Sequence, residues 1–273
     1  MRTRSWLRRI KIVITVSYRK TKAGYGERIM KKYRTLLFDV DDTLLDFTAA
    51  EKEALRMLFE EKGMPLTTEM ESHYKKINHG LWKSFEEGKI DRDEVINTRF
   101  SLLFKEYGQV VDGALLEKSY RSYLENGHQL VNGAFELIND LQNQYDLYIV
   151  TNGVSKTQDK RLRASGLHPI FKGIFVSEDT GYQKPMKEYF DYVFARIPNF
   201  SAEQTLIIGD SLSSDIKGGH QAGLDTCWFN PDKKTNDMEI IPTYQIHKLN
   251  ELYRIIENPR EQGFLTNNQG IFN

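Results

Sequence analysis

One cysteine in 273 residues leaves the chain unable to close an internal disulfide, and no Cys/His spacing offers a zinc site. Cys227 lies between Thr226 and Trp228 in what reads as a late strand, a small buried hydrophobe rather than a reactive thiol. A reducing, cytoplasmic setting is the expectation. No excess of charge exists either: 38 Lys and Arg balance 38 Asp and Glu, so nothing global draws the chain to a nucleic-acid polymer or an anionic membrane. No apolar run approaches the length that spans a bilayer, and there are no internal repeats or low-complexity tracts. What remains is a chain long enough for one substantial core with room for a smaller accessory domain.

The informative residues stand at the ends of short apolar runs. Thr35-Leu36-Leu37-Phe38 leads into Asp39-Val40-Asp41-Asp42-Thr43. Side chains two apart at a strand end share a face, so Asp39 and Asp41 converge while Val40 packs the other way. Bringing two carboxylates together without a counter-charge costs free energy, so the pair calls for a cation or for chemistry. Three more such ends follow: Leu147–Val150 into Thr151-Asn152-Gly153, Gly173–Val176 through a polar turn to Lys184-Pro185, and Thr205–Ile208 into Gly209-Asp210 with Asp215 beyond. In open parallel sheets ligands sit outside the carboxyl ends of the strands, which gathers these groups around Asp39 and Asp41. Singly, each has an ordinary reading. Thr151 suits a helix cap, Lys184 a solvated lysine, Asp210 and Asp215 caps of a helix near Ser213, and Thr43 a turn.

Between the first strand and Asn132 the pattern is helical. Thr48-x-x-Glu51 and Thr68-x-x-Glu71 read as capping boxes, with Ala54, Leu55, Leu58 and Phe59 at helical spacing and Gly63 as a stop. The expected layout is a core domain from 30–46 and 130–258, a helical insert over 47–129, and a polar, turn-rich tail over 259–273 that is disordered or loosely docked. The insert has a plainer reading as one long crossover connection. Residues 1–29 are basic, and Met30 directly precedes the first core strand. They are read as a translated leader, not native or else disordered, with Gly26-Glu27-Arg28 encoded by a purine-rich ribosome-binding site. Gly218-Gly219-His220-Gln221-Ala222-Gly223 lacks the preceding strand that a phosphate-cradling loop requires, so close packing by small residues explains it better. None of the six histidines has a partner at ligand spacing.

The ordered set Asp39/Asp41, Thr151, Lys184 and Asp210/Asp215 resembles the haloacid dehalogenase-like hydrolase superfamily from about Tyr33 to Glu257. The resemblance implies an α/β fold, a doubly wound parallel-sheet core with an inserted helical cap. It also implies a phosphatase in which Asp39 is the nucleophile, Asp41 the general acid and base, Thr43 a helper orienting the aspartate loop, and Thr151 with the Asn152 N–H a phosphoryl donor. Lys184 would offset developing charge, and Mg²⁺ would touch Asp39, the Asp41 backbone carbonyl and Asp210, with Asp215 orienting its neighbours from behind. Asp42, Asn78-x-x-Leu81-Trp82, Gly88, Thr151-Asn152-Gly153 and the run from Gly218 to Asn230 are similar to the pyrimidine 5′-nucleotidase subgroup. There Trp82 or Phe85 would stack on a base, unless Trp82 is simply buried between helices. The partner implied is a small phosphate monoester, met by a monomer or homodimer. The alternatives are a phosphatase of sugar phosphates or phosphoglycolate, a haloacid dehalogenase, and a non-enzymatic phosphoacceptor module.

Overall fold

Leu36 and Phe38 point to one side of the first strand and Leu37 to the other, and all three are fully buried, so the strand must be covered on both faces. The structure, a computed structural model, describes residues 32–236 and 238–257. The basic extension 1–29 and the polar tail 259–273 lie outside those residues. Six strands form one parallel sheet in the order β3-β2-β1-β4-β5-β6: β1 Thr35–Phe38, β2 Asp146–Thr151, β3 Gly173–Val176, β4 Thr205–Gly209, β5 Asp225–Phe229 and β6 Tyr244–Ile246. The doubly wound α/β class is as expected. The sixth strand is not: Tyr-Gln-Ile is three residues long with an exposed centre, too short for its alternation to register.

On the Leu36 and Phe38 side the core takes in α5 (Ala134–Leu141), Leu162 of α6 (Ser155–Ala164) and α10 (Leu252–Glu257). On the Leu37 side Tyr189, Phe190 and Val193 of α8 (Lys187–Phe194) cover the sheet. α7 (Ser177–Thr180) is a single turn, and α9 (Lys217–Gln221) packs where the Gly218-Gly219 reading placed small residues. A Cβ at Gly219 would stand 2.4 Å from Ile207, and one at Gly218 2.7 Å from Phe190. β1 pairs with β2 on one side and β4 on the other, so the carboxyl ends of all three open into one crevice beside Asp39.

The helical run comprises α1 (Phe47–Glu61), α2 (Thr68–Glu86), α3 (Arg92–Glu106) and α4 (Gly113–Leu124) around its own apolar cluster, where Phe59 stacks on Phe104 and Tyr74 on Phe100. The chain crosses into and out of this block side by side: Asp46 N donates to Gln129 O and Val131 N to Leu44 O, both at 2.9 Å. The cap of α1 differs from expectation. Asp46, not Thr48, accepts from Ala49 N at 2.8 Å, because the helix already begins at Phe47 and Thr48 lies inside it, donating both its backbone N–H and its hydroxyl to the Asp42 carboxylate. The second cap is Thr67, one residue early, accepting from Met70 N.

Glu51, released from capping, is buried and accepts from Asn78 Nδ2 at 2.9 Å. Asn78 Oδ1 in turn takes Arg99 Nη1, and Arg99 pairs with Glu117. Burial pushes the Glu51 carboxyl up from 4.5 to about 7, against the pull of Arg99 and Lys75. The folded state therefore keeps a proton that the unfolded chain releases, and Glu51's contribution to stability falls as pH rises from 4.5 to about 7. Glu51→Gln, which keeps an acceptor for Asn78, is expected to melt a few degrees above the parent at pH 8 and level with it near pH 4.5. The gain corresponds to ~1–3 kcal/mol, and parallel thermal melts at the two pH values measure it.

Candidate active site

A cavity of about 270 Å³ opens at the carboxyl end of the sheet, walled on the core side by Asp39, Asp41, Thr151, Lys184, Asp210 and Asp215 and on the helical side by Phe47, Trp82, Arg99, Arg121 and Leu124. At its floor is a fully buried lysine, which the solvated reading of Lys184 did not foresee. Its Nζ donates to Asp39 Oδ1 at 2.7 Å, Asp215 Oδ1 at 2.6 Å and Val150 O at 2.8 Å, so all three ammonium protons are committed. Burial works against the charge, but Asp215 and Asp39 outweigh it and hold the lysine above its ordinary range. The loop that delivers Lys184 is clamped reciprocally: Asn152 Nδ2 donates to Lys184 O and Lys184 N to Asn152 Oδ1, both at 2.9 Å. The side chain of Asn152 is thus scaffold, and the Lys184–Pro185 peptide is cis.

Asp39 is buried with Oδ1 on Lys184, while Oδ2 takes no hydrogen bond from the described residues. Desolvation raises its carboxyl above the usual range against the pull of Lys184, with Asp215 and Asp41 adding to the rise. Asp210 is likewise raised, by desolvation and then by Asp39 and Asp215. Its backbone carbonyl is fixed by Trp228 Nε1 at 2.8 Å. Asp215 uses both oxygens, Oδ1 on Lys184 and Oδ2 on Ser211 N, and does not cap a helix: Ser211 caps the π-helical turn Leu212–Ile216. Gly209 is dictated by this contact, since a Cβ there would stand 2.2 Å from the Asp215 carboxylate.

Asp39, Asp210 and Asp215 bring carboxylate oxygens within 4.8 Å of one another. Three clustered carboxylates with one lysine among them, two of the three raised first by desolvation and then by neighbouring carboxylates, fit a hard divalent cation with oxygen ligands.

Thr151 Oγ1 accepts from Gly153 N at 3.2 Å and Gln158 Nε2 at 3.0 Å, which leaves its own O–H as a donor. It is not a helix cap; α6 starts at Ser155 behind Val154 with no side-chain cap. Thr43 does not reach the cavity. It is buried, its hydroxyl has no partner among the described residues, and its contribution to the aspartate loop is the backbone bond from its N to Val40 O. Of the two aromatic candidates only Trp82 lines the cavity; Phe85 is buried edge-on against it at 5.6 Å.

Several lining residues went unread in the sequence. Gln158 and Arg161 hold Asp41 from α6, and Arg99 and Arg121 enter from α3 and α4. Glu86, at the end of α2, accepts from Ser213 Oγ at 2.6 Å, and burial raises it to about 7. One signal was available. Leu162 is the only large apolar residue of α6, so the buried face of that helix had to be completed by polar side chains one and four positions before it.

Comparison with known proteins accords with this geometry. The family model described as haloacid dehalogenase-like hydrolase matches residues 36–229. The chain is 72% identical over 227 residues to the HAD-hydrolase YfnB of Bacillus subtilis (strain 168), covering 83% of this chain and 97% of that one. A crystal structure of YfnB bound to magnesium superposes with a TM-score of 0.79 over 83% of this chain and 99% of that one. Pyrimidine 5′-nucleotidase PynA of Streptococcus pneumoniae (strain ATCC BAA-255 / R6) is 43% identical over 221 residues, 81% of this chain and 93% of the relative. Pyrimidine 5′-nucleotidase YjjG of Escherichia coli (strain K12) is 32% identical over 225 residues, 82% and 98% respectively. Among the described residues no helix is long and apolar enough to cross a membrane.

Proposed function

Because the chain belongs to the haloacid dehalogenase-like hydrolase family, we propose that it is a Mg²⁺-dependent phosphomonoesterase acting on pyrimidine nucleoside 5′-monophosphates. The observation that carries the reaction type is the set of Asp39, Asp41, Thr151 and Lys184 converging in one cavity beside the Asp210/Asp215 carboxylates. The named activities of PynA and YjjG support the substrate.

In this reading Asp39 Oδ2 attacks phosphorus as the bond to the ester oxygen breaks, splitting a difficult hydrolysis into two easier displacements. Asp41 gives its proton to the departing oxygen. Its carboxylate then takes a proton from the water that attacks the aspartyl-phosphate, which frees Asp39 and inorganic phosphate. Thr151 O–H and the Asn152 N–H donate to the phosphoryl oxygens. Lys184, with every donor committed, acts through its charge, offsetting the Asp39 and Asp215 carboxylates that it bridges. Asp39, the Asp41 carbonyl and Asp210 would hold the cation, and Asp215 would orient Lys184. The bound cation supplies charge neutralisation for the incoming phosphate.

Residues 47–129 act as a cap in this account, and Trp82 offers a stacking face for the base. No acid is needed to expel a halide, so the retention of Asp41 in the cavity favours ester hydrolysis over dehalogenation. A phosphoacceptor module would need neither that acid nor a cap.

Phosphate release with Mg²⁺ from pyrimidine and purine monophosphates, sugar phosphates and phosphoglycolate, beside halide release from 2-chloropropionate, tests the proposal. Pyrimidine monophosphates are expected to lead the panel, and chelation by EDTA to stop turnover. A preference for sugar phosphates would overturn the substrate but not the chemistry. Halide release without phosphate release would overturn both.

A further inference from the structure

Arg161 is 1% exposed, so its guanidinium has to be satisfied by the protein around it. Its Nη1 donates to Asp41 Oδ1 at 2.5 Å and to Gln158 Oε1 at 3.1 Å, while Gln158 Nε2 donates to Asp41 Oδ2 at 2.8 Å. Two side chains three residues apart on α6 thus take one oxygen each and fix the torsion of the Asp41 carboxylate. Gly153 makes room for this arrangement, since a Cβ there would stand 2.5 Å from Gln158 Nε2.

The same guanidinium reaches both crossings between core and helical block. Nε donates to Gly127 O at 2.6 Å on the returning segment, and the guanidinium carbon lies 5.6 Å from the ring centre of Phe47, the first residue of α1. Nη2 is buried and has no partner among the described residues, although the residue lines the cavity.

We propose that Arg161 is the positioning residue for Asp41, and that it makes the aim of this carboxylate depend on where the helical block sits. The inference rests on the acid–base reading of Asp41. An acid that must first deliver a proton and later take one from the opposite reactant has to return to one place. A planar guanidinium pinned at three points supplies that place better than a flexible ammonium would. Because two of the anchors lie on the crossings, displacing the block removes them from Arg161 and loosens Asp41. Proton transfer is then supported best when the cavity is covered.

The test compares two esters in the same variant. A nucleoside monophosphate expels an alkoxide that needs a proton, whereas p-nitrophenyl phosphate expels a stable anion that does not. Arg161→Gln is expected to lower kcat/KM for the nucleotide by ~10²-fold and for the aryl ester by less than about tenfold. The loss should lie in kcat rather than KM, with Arg161→Lys intermediate. The ratio of the two esters is independent of the fraction of enzyme folded, so poor folding cannot imitate the result. In an Asp41→Asn background, adding Arg161→Gln is expected to cost less than about threefold more, because both changes strike one function. Equal losses on both esters, or a full additional loss in that background, would reduce Arg161 to a structural tie and overturn the inference. If the parent enzyme shows no Asp39-dependent release from either ester, the phosphatase reading fails first and takes the inference with it.

Discussion

Asp39→Asn is expected to lower phosphate release by ~10⁴-fold or more, the scale on which loss of a nucleophile acts, while leaving the protein as well folded as its parent. The two halves of this result come from the same environment. Asp39 carries an oxygen without a hydrogen-bond partner among the described residues, and an amide cannot replace it as an attacking group. Its other oxygen serves Lys184, and an asparagine carbonyl still accepts that bond. Desolvation, together with Asp215 and Asp41, raises the native carboxyl above its ordinary 3.8. The folded state is thereby penalised as pH climbs past that value, and the neutral amide escapes the penalty. The variant should therefore match the parent in acid and gain on it toward alkaline pH. Phosphate assays paired with thermal melts across pH decide the matter: retained turnover would remove Asp39 as nucleophile, and a collapsed melt would make it structural.

Lys184→Met is expected to be the most damaging single change to stability in the site. The side chain is of similar length, so the loss is electrostatic: Asp39 and Asp215 remain buried with no cation between them, and Val150 O loses its donor. Breaking a buried pair by removing one partner costs ~3–5 kcal/mol, which for a chain of this size lowers the melting temperature by roughly 6–20 °C. Adding Asp215→Asn removes one of the stranded charges and should recover about half of that loss. A melt of Lys184→Met within a degree or two of the parent would show that the lysine's bonds contribute little. A double variant no better than the single would show that the charge of Asp215 is not what the lysine offsets.

What the sequence revealed and what it hid divide along a physical line. Asp39, Thr151 and Asp210 were legible because each ends a short apolar run, and Lys184 because it follows one through a polar turn; a parallel sheet brings such ends together whatever separates them in the chain. Gln158 and Arg161 were hard to read because the one local sign, a helix with a single large apolar residue, does not name their partners; those of the arginine lie 120 residues back at Asp41 and 34 back at Gly127. Thr48 misled because Asp46, two residues earlier, also carries a capping side chain, and the left-handed turn at Asp42, φ 56°, put that carboxylate within reach of the Thr48 donors. Trp82 and Phe85 sit three apart on α2, neighbours on the helix surface, and only the packing of α3, with Arg92 over the Phe85 ring, separates the lining residue from the buried one. Thr43 occupies a motif position, yet it does not line the cavity and its buried hydroxyl has no partner among the described residues.

The central place of β1 has a consequence for how the protein is made. This strand emerges early from the ribosome, but its β4 partner follows roughly 170 residues later, Thr35 pairing with Thr205. At ~5–20 residues per second the wait is about 10–35 s. Throughout that time an apolar four-residue ribbon has at least one bare edge, the kind of surface that recruits other chains. The helical block, whose apolar residues cluster among themselves, is synthesised in between, so its chain is complete well before that of the sheet. Chaperone demand should therefore peak between completion of α4 and arrival of β4. A ribosome stalled before Gly209 would carry no trace of activity, however well its helices had folded.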